Sequence, residues 1–247
     1  MERSLKNHRA SQKPLAVDLD DIVRITISQM RADFKWSREG RYRNKPKSCA
    51  LFEHEYRVPV PPEEWKKAAG TVERCLRNFY ASEIYARLIA VPREDWLEIE
   101  ELSSFDLDGV KVNVVLDFSY RQGDEIFIID WKTGASDERS NRVQLACYTV
   151  YAGRKWGGPP GKVHAIEYNL NRNEVIEHRI TAEDIDRTVD FIRGSIADMK
   201  RLLRDPARNI AVEENFPRLN DLKVCRRCSF FRVCGPDVPG SPSDPRT

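Results

Sequence analysis

Asp130 follows Ile126-Phe127-Ile128-Ile129, a continuous apolar run of the kind carried by a strand buried on both faces. A carboxylate at the end of such a run costs free energy unless it is paired or binds a cation. Lys132 lies two residues further on, and the strand period of two places it on the same face as Asp130. Asp117 sits near the end of a second strand-like run, Val112–Tyr120, which the turn Arg121-Gln122-Gly123-Asp124 joins to the first as a hairpin. Two carboxylates and a lysine converging at strand ends suit phosphodiester hydrolysis. Oxygen ligands select Mg²⁺ or Mn²⁺, and such an ion polarises a phosphate and acidifies a bound water. The lysine orients that water or offsets charge building on phosphorus. The plain alternative is an ordinary hairpin in which Lys132 forms a salt bridge with Asp117 or Asp130, since short motifs recur by chance.

A third motif lies downstream. Gln144-Leu145-Ala146-Cys147-Tyr148 places Gln144 and Tyr148 one helical turn apart on one face. Asp117, then Asp130-Trp131-Lys132-Thr133-Gly134, then this Gln-x3-Tyr resembles the RecB-like branch of the PD-(D/E)XK nucleases, which includes the AddB nuclease domain and the CRISPR-associated RecB-like exonucleases. The separation of the two aspartates is that of the branch's hairpin. The resemblance implies a restriction-endonuclease-like α/β core with a central mixed sheet flanked by helices. It makes Asp117 and Asp130 metal ligands, helped by the backbone carbonyl of Trp131, and Lys132 the catalytic base or water-orienting residue. Gln144 and Tyr148 then position substrate and lysine. Many relatives carry a metal-binding His on the helix before the strands. Here that helix reads Gly70-Thr71-Val72-Glu73-Arg74-Cys75, so Glu73 is the nearest competent substitute, with Glu100 a weaker one.

Six cysteines are present, and three stand close together as Cys225-x2-Cys228-x5-Cys234. In a reducing compartment such thiols are metal ligands more readily than disulfide partners. Cys49, ahead of the first core helix, is the candidate fourth. Four thiolates suit either Zn²⁺ or an iron–sulfur cluster, and spacing does not separate the two. The resemblance favours a [4Fe–4S] staple tying the N-terminal segment to the C-terminus. Cys75 and Cys147 fall on apolar helix faces and read as small buried hydrophobes. The staple region is also basic, with Arg201, Arg204, Arg208, Arg218, Lys223, Arg226, Arg227 and Arg232 around Phe230 and Phe231. This suggests either a positive rim for a phosphodiester backbone or a solvated surface.

Positioning these groups requires several elements. Residues 1–14 read as a loose polar tail and 235–247 as a disordered one. Asp18 to about Met30 suits a short helix or a strand, and the basic, aromatic-containing stretch 31–48 a solvated connector. Glu63 to about Leu88 has helical spacing with a break near Gly70 or Ser82. Trp96–Leu102, Val110–Tyr120 and Glu125–Trp131 read as strands, and Val143–Tyr151 as a helix. A hairpin follows, Val163–Leu170 with Glu174–Ile180. A long helix then starts at the capping box Thr181-Ala182-Glu183-Asp184 and stops before Pro206. The organisation expected is one nuclease domain over 15–234, its core at about 63–204, with a cysteine lobe formed from Cys49 onward and 218–234.

Charge is nearly balanced, 41 Lys and Arg against 39 Asp and Glu, so bulk charge gives no argument for nucleic acid. No run approaches the ~20 apolar residues needed to span a bilayer, and the N-terminus has no apolar signal-peptide core; a cytoplasmic location is expected. The resulting expectation is a Mg²⁺- or Mn²⁺-dependent deoxyribonuclease, an exonuclease favouring single-stranded ends, in DNA repair, recombination or CRISPR-type processing. The resemblance admits a helicase or another recombination or CRISPR protein as partner. Two other classes compete: a non-catalytic DNA-binding or scaffolding module that keeps the fold, and a structural zinc protein. The intact triad argues against the first, and the Gln144/Tyr148 motif is unexplained by the second.

Overall fold

The computed structural model describes Leu5, Lys6 and residues 18–134, 138–217, 219, 221–225 and 227–234. Its contacts divide the chain into two units, Met1–Gln29 with Pro62–Gly194, and Met30–Pro61 with Ser195–Thr247. The tail 235–247 and most of 1–14 lie outside the described residues. Among the described residues, no helix is long and apolar enough to cross a membrane.

The first unit is built on a five-stranded mixed sheet. Helix α1 (Leu19–Arg38) begins in this unit and continues into the second. Asp18 caps it, its Oδ1 accepting from the Asp20 and Asp21 amides. Pro62–Ala81 forms α2 and Glu83–Ala90 forms α3. Of the two expected break points, Ser82 is the one used, because its hydroxyl accepts from the Tyr85 amide and restarts the helix. Strands β1 (Trp96–Glu98), β2 (Glu101–Leu107), β3 (Val110–Leu116), β4 (Phe118–Gln122) and β5 (Glu125–Lys132) follow, then α4 (Glu138–Trp156), β6 (Val163–Asn169), β7 (Glu174–His178) and α5 (Ala182–Arg201). The sheet order is β1-β4-β5-β6-β7, with β5 and β6 parallel across the α4 connection and the other pairs antiparallel.

Two strands expected to be continuous are broken. Val110–Tyr120 splits at Asp117: β3 pairs with β2 in a separate hairpin, and β4 pairs with β5 and β1. Trp96–Leu102 splits at Glu100, which has φ 44°. The β2–β3 hairpin closes through Asp108-Gly109, both at positive φ, the Asp-Gly pair that two-residue hairpin turns favour.

Strand β5 shows why its apolar run is unbroken. Ile126 and Ile128 pack with Leu145, Ala146, Tyr148 and Tyr151 of α4 on one face. Ile129 packs with Phe79 of α2, Leu88 of α3, Trp96 and Phe118 on the other. Leu5, within the stretch read as a loose tail, is 2% exposed and belongs to that second cluster. The capping box before α5 forms reciprocally: the Asp184 amide donates to Thr181 Oγ1, and the Thr181 amide donates to Asp184 Oδ2.

The second unit takes in the end of α1, so Met30–Arg38 is helix and not connector. Arg38, Arg41 and Arg43 lie over the rings of Phe34, Trp36 and Tyr42, and Glu39 and Glu55 pair with Arg41 and Arg43. Ser37 is buried, its hydroxyl accepting from the Leu51 amide and contacting His54 Nδ1 at 2.9 Å. Within this unit the early and late segments meet. Tyr56 donates to the Ser229 carbonyl at 2.7 Å, and its ring meets Phe231 edge-on at 6.2 Å. A short hairpin, β8 (Leu203–Asp205) with β9 (Ile210–Ala211), follows α5 and carried no clear period in the sequence.

Candidate active site

The site residues stand where β5 ends and the chain leaves the sheet. Asp130 is 2% exposed on the α4 side, and the Trp131 ring turns to the other side, against Phe79 at 5.3 Å. Lys132 returns to the Asp130 face, its Nζ 2.6 Å from Asp130 Oδ2. That oxygen accepts no hydrogen bond of good geometry, so the contact is an off-line charge pair. Lys132 Nζ also donates to Gln144 Oε1 at 2.7 Å, Gln144 Nε2 donates to the Tyr148 hydroxyl at 2.8 Å, and that hydroxyl donates to the Val115 carbonyl at 2.8 Å. One continuous chain thus runs from the carboxylate through the ammonium and α4 to β3. Each link fixes a rotamer of the next.

Asp117 occupies the bend where the strand exchanges one pairing partner for another. Its Oδ2 accepts from the Trp131 amide at 2.7 Å, which ties it to the β5 backbone between Asp130 and Lys132. The main chain beyond Lys132 is pinned too. The Leu170 amide donates to the Lys132 carbonyl at 2.7 Å, and Asn169 Nδ2 to the Gly134 carbonyl at 2.9 Å. Of the sequence-derived set, Asp117, Asp130, Trp131, Lys132, Gln144 and Tyr148 are brought together.

Burial pushes the Asp130 carboxyl above its ordinary range, opposed by the adjacent Lys132 ammonium, while the Glu167 charge adds to the rise. The Tyr148 phenol is pushed up to about 12, first by burial and then by the Asp130 and Asp117 charges, against a lowering from Gln144. Tyr148 is therefore a neutral hydrogen-bonding strut at physiological pH. The arrangement presents carboxylate oxygens to a small hard cation and holds one ammonium beside them.

Glu73 lies elsewhere. It sits on α2, the helix packed on the Trp131 side of the sheet, and Arg77 holds its carboxylate at 2.9 Å. Glu100 is exposed in the β1–β2 bend. Sequence reading missed buried polar groups around the centre. Glu167 pairs in register with Asp130 from β6 and contacts His178 Nε2 at 3.0 Å; Glu98 on β1 is 2% exposed. Both were detectable as lone carboxylates inside apolar strand runs, Leu-Glu-Ile and Ile-Glu-Tyr.

Cys225, Cys228 and Cys234 are half-buried free thiols, and Cys49 is an exposed one; all four belong to the second unit. The Phe230 amide points at Cys228 Sγ at 3.4 Å, and Cys225 Sγ contacts the Leu219 carbonyl at 3.5 Å. Among the described residues, no group of three or more His, Cys, Asp or Glu is gathered around a common point. Cys75 and Cys147 pack on the two cores of the first unit, where burial raises both thiols. Of the aromatic pair in the basic segment, Phe230 is 68% exposed, whereas Phe231 is buried. Arg218 and Arg226 lie outside the described residues.

Comparison with curated proteins and with solved structures gives no match for this chain. The sequence model of the PD-(D/E)XK nuclease superfamily matches residues 35–235, a span that takes in both aspartates, the lysine, the Gln144/Tyr148 helix and all four cysteines. Members of that superfamily are generally phosphodiesterases that use Mg²⁺ or Mn²⁺, and the mixed sheet flanked by helices fits its core. On a match of that extent, the chain belongs to the PD-(D/E)XK nuclease superfamily.

Proposed function

We propose that this chain is a divalent-metal-dependent deoxyribonuclease of the RecB-like branch, acting as an exonuclease on single-stranded ends in DNA repair, recombination or CRISPR-type processing. The observation that carries the reading is the unbroken chain Asp130–Lys132–Gln144–Tyr148, with Asp117 bonded to the intervening Trp131 amide. A mere fold relic has no need to hold a half-buried ammonium at 2.6 Å from a buried carboxylate and to brace it from a second element. This counts against the scaffolding alternative.

Asp117 and Asp130 supply the carboxylate oxygens, with the Trp131 carbonyl between them. The poorly bonded Asp130 Oδ2 fits a cation ligand awaiting its partner. When bound there, Mg²⁺ or Mn²⁺ supplies a Lewis acid and a water of lowered pKa. Lys132 orients the attacking water and offsets charge on the phosphate. Gln144 fixes the ammonium's direction, and Tyr148 fixes Gln144. With Glu73 held by Arg77, it acts as a ligand only after that ion pair opens. A site of two aspartates, a carbonyl and waters suits Mg²⁺, which keeps several waters.

For the second unit we propose a four-thiolate cluster of Cys49, Cys225, Cys228 and Cys234, a [4Fe–4S] centre with Zn²⁺ as the alternative. The free thiols, their membership of one unit, the amide directed at Cys228 Sγ and the Tyr56–Ser229 tie between early and late segments support it. A helicase or other recombination or CRISPR protein is the proposed partner. The test is cleavage of end-labelled single- and double-stranded DNA in Mn²⁺ by wild type, D130A and K132A, alongside iron and zinc analysis of anaerobically purified protein. Equal products from all three proteins sink the nuclease reading, and a preparation with neither metal sinks the cluster.

A further inference from the structure

A buried carboxylate outside the catalytic set has no role in the chemistry above. Strand period would put Glu98 on the same face as Trp96, which packs in the α2-side core. The β1–β4 pairing, however, slips by one residue between Trp96 and Glu98, with Trp96 opposite Tyr120 and Glu98 opposite Ser119. Such a bulge re-aims a side chain. Here it turns Glu98 through to the α4 face. There Oε1 accepts from Ser103 Oγ of β2 at 2.8 Å and from both the Tyr151 hydroxyl and the Lys155 ammonium of α4. Its own amide donates to Ser119 Oγ of β4 at 3.1 Å. Lys155 also donates to the Tyr151 hydroxyl at 2.8 Å and lies over the Tyr151 and Trp156 rings. Through its carboxylate Glu98 ties β1 to β2 and α4, and through its amide it adds β4.

The helix is the one that carries the catalytic pair. Gln144, Tyr148, Tyr151 and Lys155 fall at i, i+4, i+7 and i+11, a single stripe of α4. The first two brace Lys132, and the last two grip Glu98. Buried at one point by a charged hydrogen-bonded knot, a helix resists both sliding along and rotation about its axis, because either motion strands a buried carboxylate.

We infer that Glu98 is a positioning residue for the nuclease reaction: through Tyr151 and Lys155 it sets the register of α4, and so the position of Gln144 against Lys132. This rests on the nuclease reading. A displacement of Gln144 by a fraction of an ångström loosens the ammonium without removing it, which lowers kcat and leaves DNA binding alone.

The test is a double-mutant cycle in steady-state cleavage of single-stranded DNA with Mn²⁺, using wild type, E98A, Q144A and E98A/Q144A. E98A is expected to lower kcat about tenfold with KM within about twofold. In the Q144A background the same change should lower kcat by less than about twofold, because the residue it acts through is gone. Equal losses in both backgrounds, or an unchanged kcat beside a lowered Tm, overturn the inference and leave Glu98 a stability residue. E98Q, of matched size, replaces E98A in the cycle should the alanine variant fail to fold. Amide hydrogen exchange needs no substrate. Faster exchange in E98A or E98Q across Gln144–Tyr148 is expected, and unchanged exchange overturns the inference. A wild type that leaves DNA uncut sinks the nuclease reading, with the exchange arm then deciding the helix anchor by itself.

Discussion

The candidate site at the end of β5 and the cysteine segment have comparable raw material but differ in assembly. At the end of β5 the site residues contact one another within the chain: Lys132 is fixed by Asp130 and Gln144, and Asp117 accepts from the Trp131 amide. In the second unit the four thiols share a region, yet remain separate, free sulfurs. The difference follows from what each set needs. Carboxylates and an ammonium neutralise one another and can be arranged by strand and helix alone. Four thiols have no mutual attraction until they ionise on a metal, so in the proposed cluster the ion would complete their geometry. On the proposed reading, one region is organised before its metal arrives and the other would be organised by it.

Four sets of variants test that contrast. D130A and K132A should each cut kcat by roughly 10³-fold or more while barely moving the far-ultraviolet circular dichroism, as expected for a preformed centre losing one member. A loss of secondary structure in either variant would show that the triad is needed for folding, and would erase the contrast. C228S should do the opposite: iron or zinc content falls to background and the Tm drops by roughly 5 °C or more, because metal binding free energy is folding free energy. Activity retained at low temperature in that variant is expected, and unchanged Tm with unchanged metal content would deny the thiols any structural task.

A smaller effect is expected from Y148F. The hydroxyl bridges Gln144 and the Val115 carbonyl, so its loss leaves two polar groups short of a partner, a cost of ~1–3 kcal/mol that should appear as about a tenfold fall in kcat at constant KM. The smallest effect concerns Asp184, which the Arg142 hydrogen bond chiefly, then the Thr181 backbone and hydroxyl, hold well below the ordinary carboxylate value of 3.8. A depressed carboxyl stabilises the fold fully above that value and loses the contribution as pH falls through its folded value. D184N should therefore lower Tm by roughly 3 °C at pH 7, with the gap to wild type closing only below about pH 4. A gap that does not narrow at all between pH 4 and pH 2 would remove the ion pair as its cause.

The sequence made the β5 end legible because its signals are local. A charge closing an apolar run, a lysine two residues on and a glutamine–tyrosine pair at one helical turn each need only neighbours in the chain to be read. The bend at Asp117 was not legible, since a run such as Val110–Tyr120 keeps β character on both sides and nothing in its period says where the strand changes partners. Glu98 was missed for a related reason: alternation assigns it to the wrong face, and the one-residue slip that corrects this depends on β4. The helix from Asp18 runs on to Arg38, and there Phe34 and Trp36 carry Arg38 and Arg41 over their rings. Composition showed those arginines as solvated connector. The cysteine spacing was plain, but only the fold shows that residue 49 and residues 225–234 belong to one unit.

The break at Asp117 also bears on how this chain can vary. The β2–β3 arm joins the five-stranded sheet at two adjacent bends, Ile99–Glu100 and Asp117, and the second carries a candidate site carboxylate, so two surfaces with separate packing demands both bear on where it points. Drift in the arm's length at its Asp108-Gly109 tip is absorbed far from the joint, whereas insertion of even one residue beside Leu116 would rotate the aspartate out of the centre altogether.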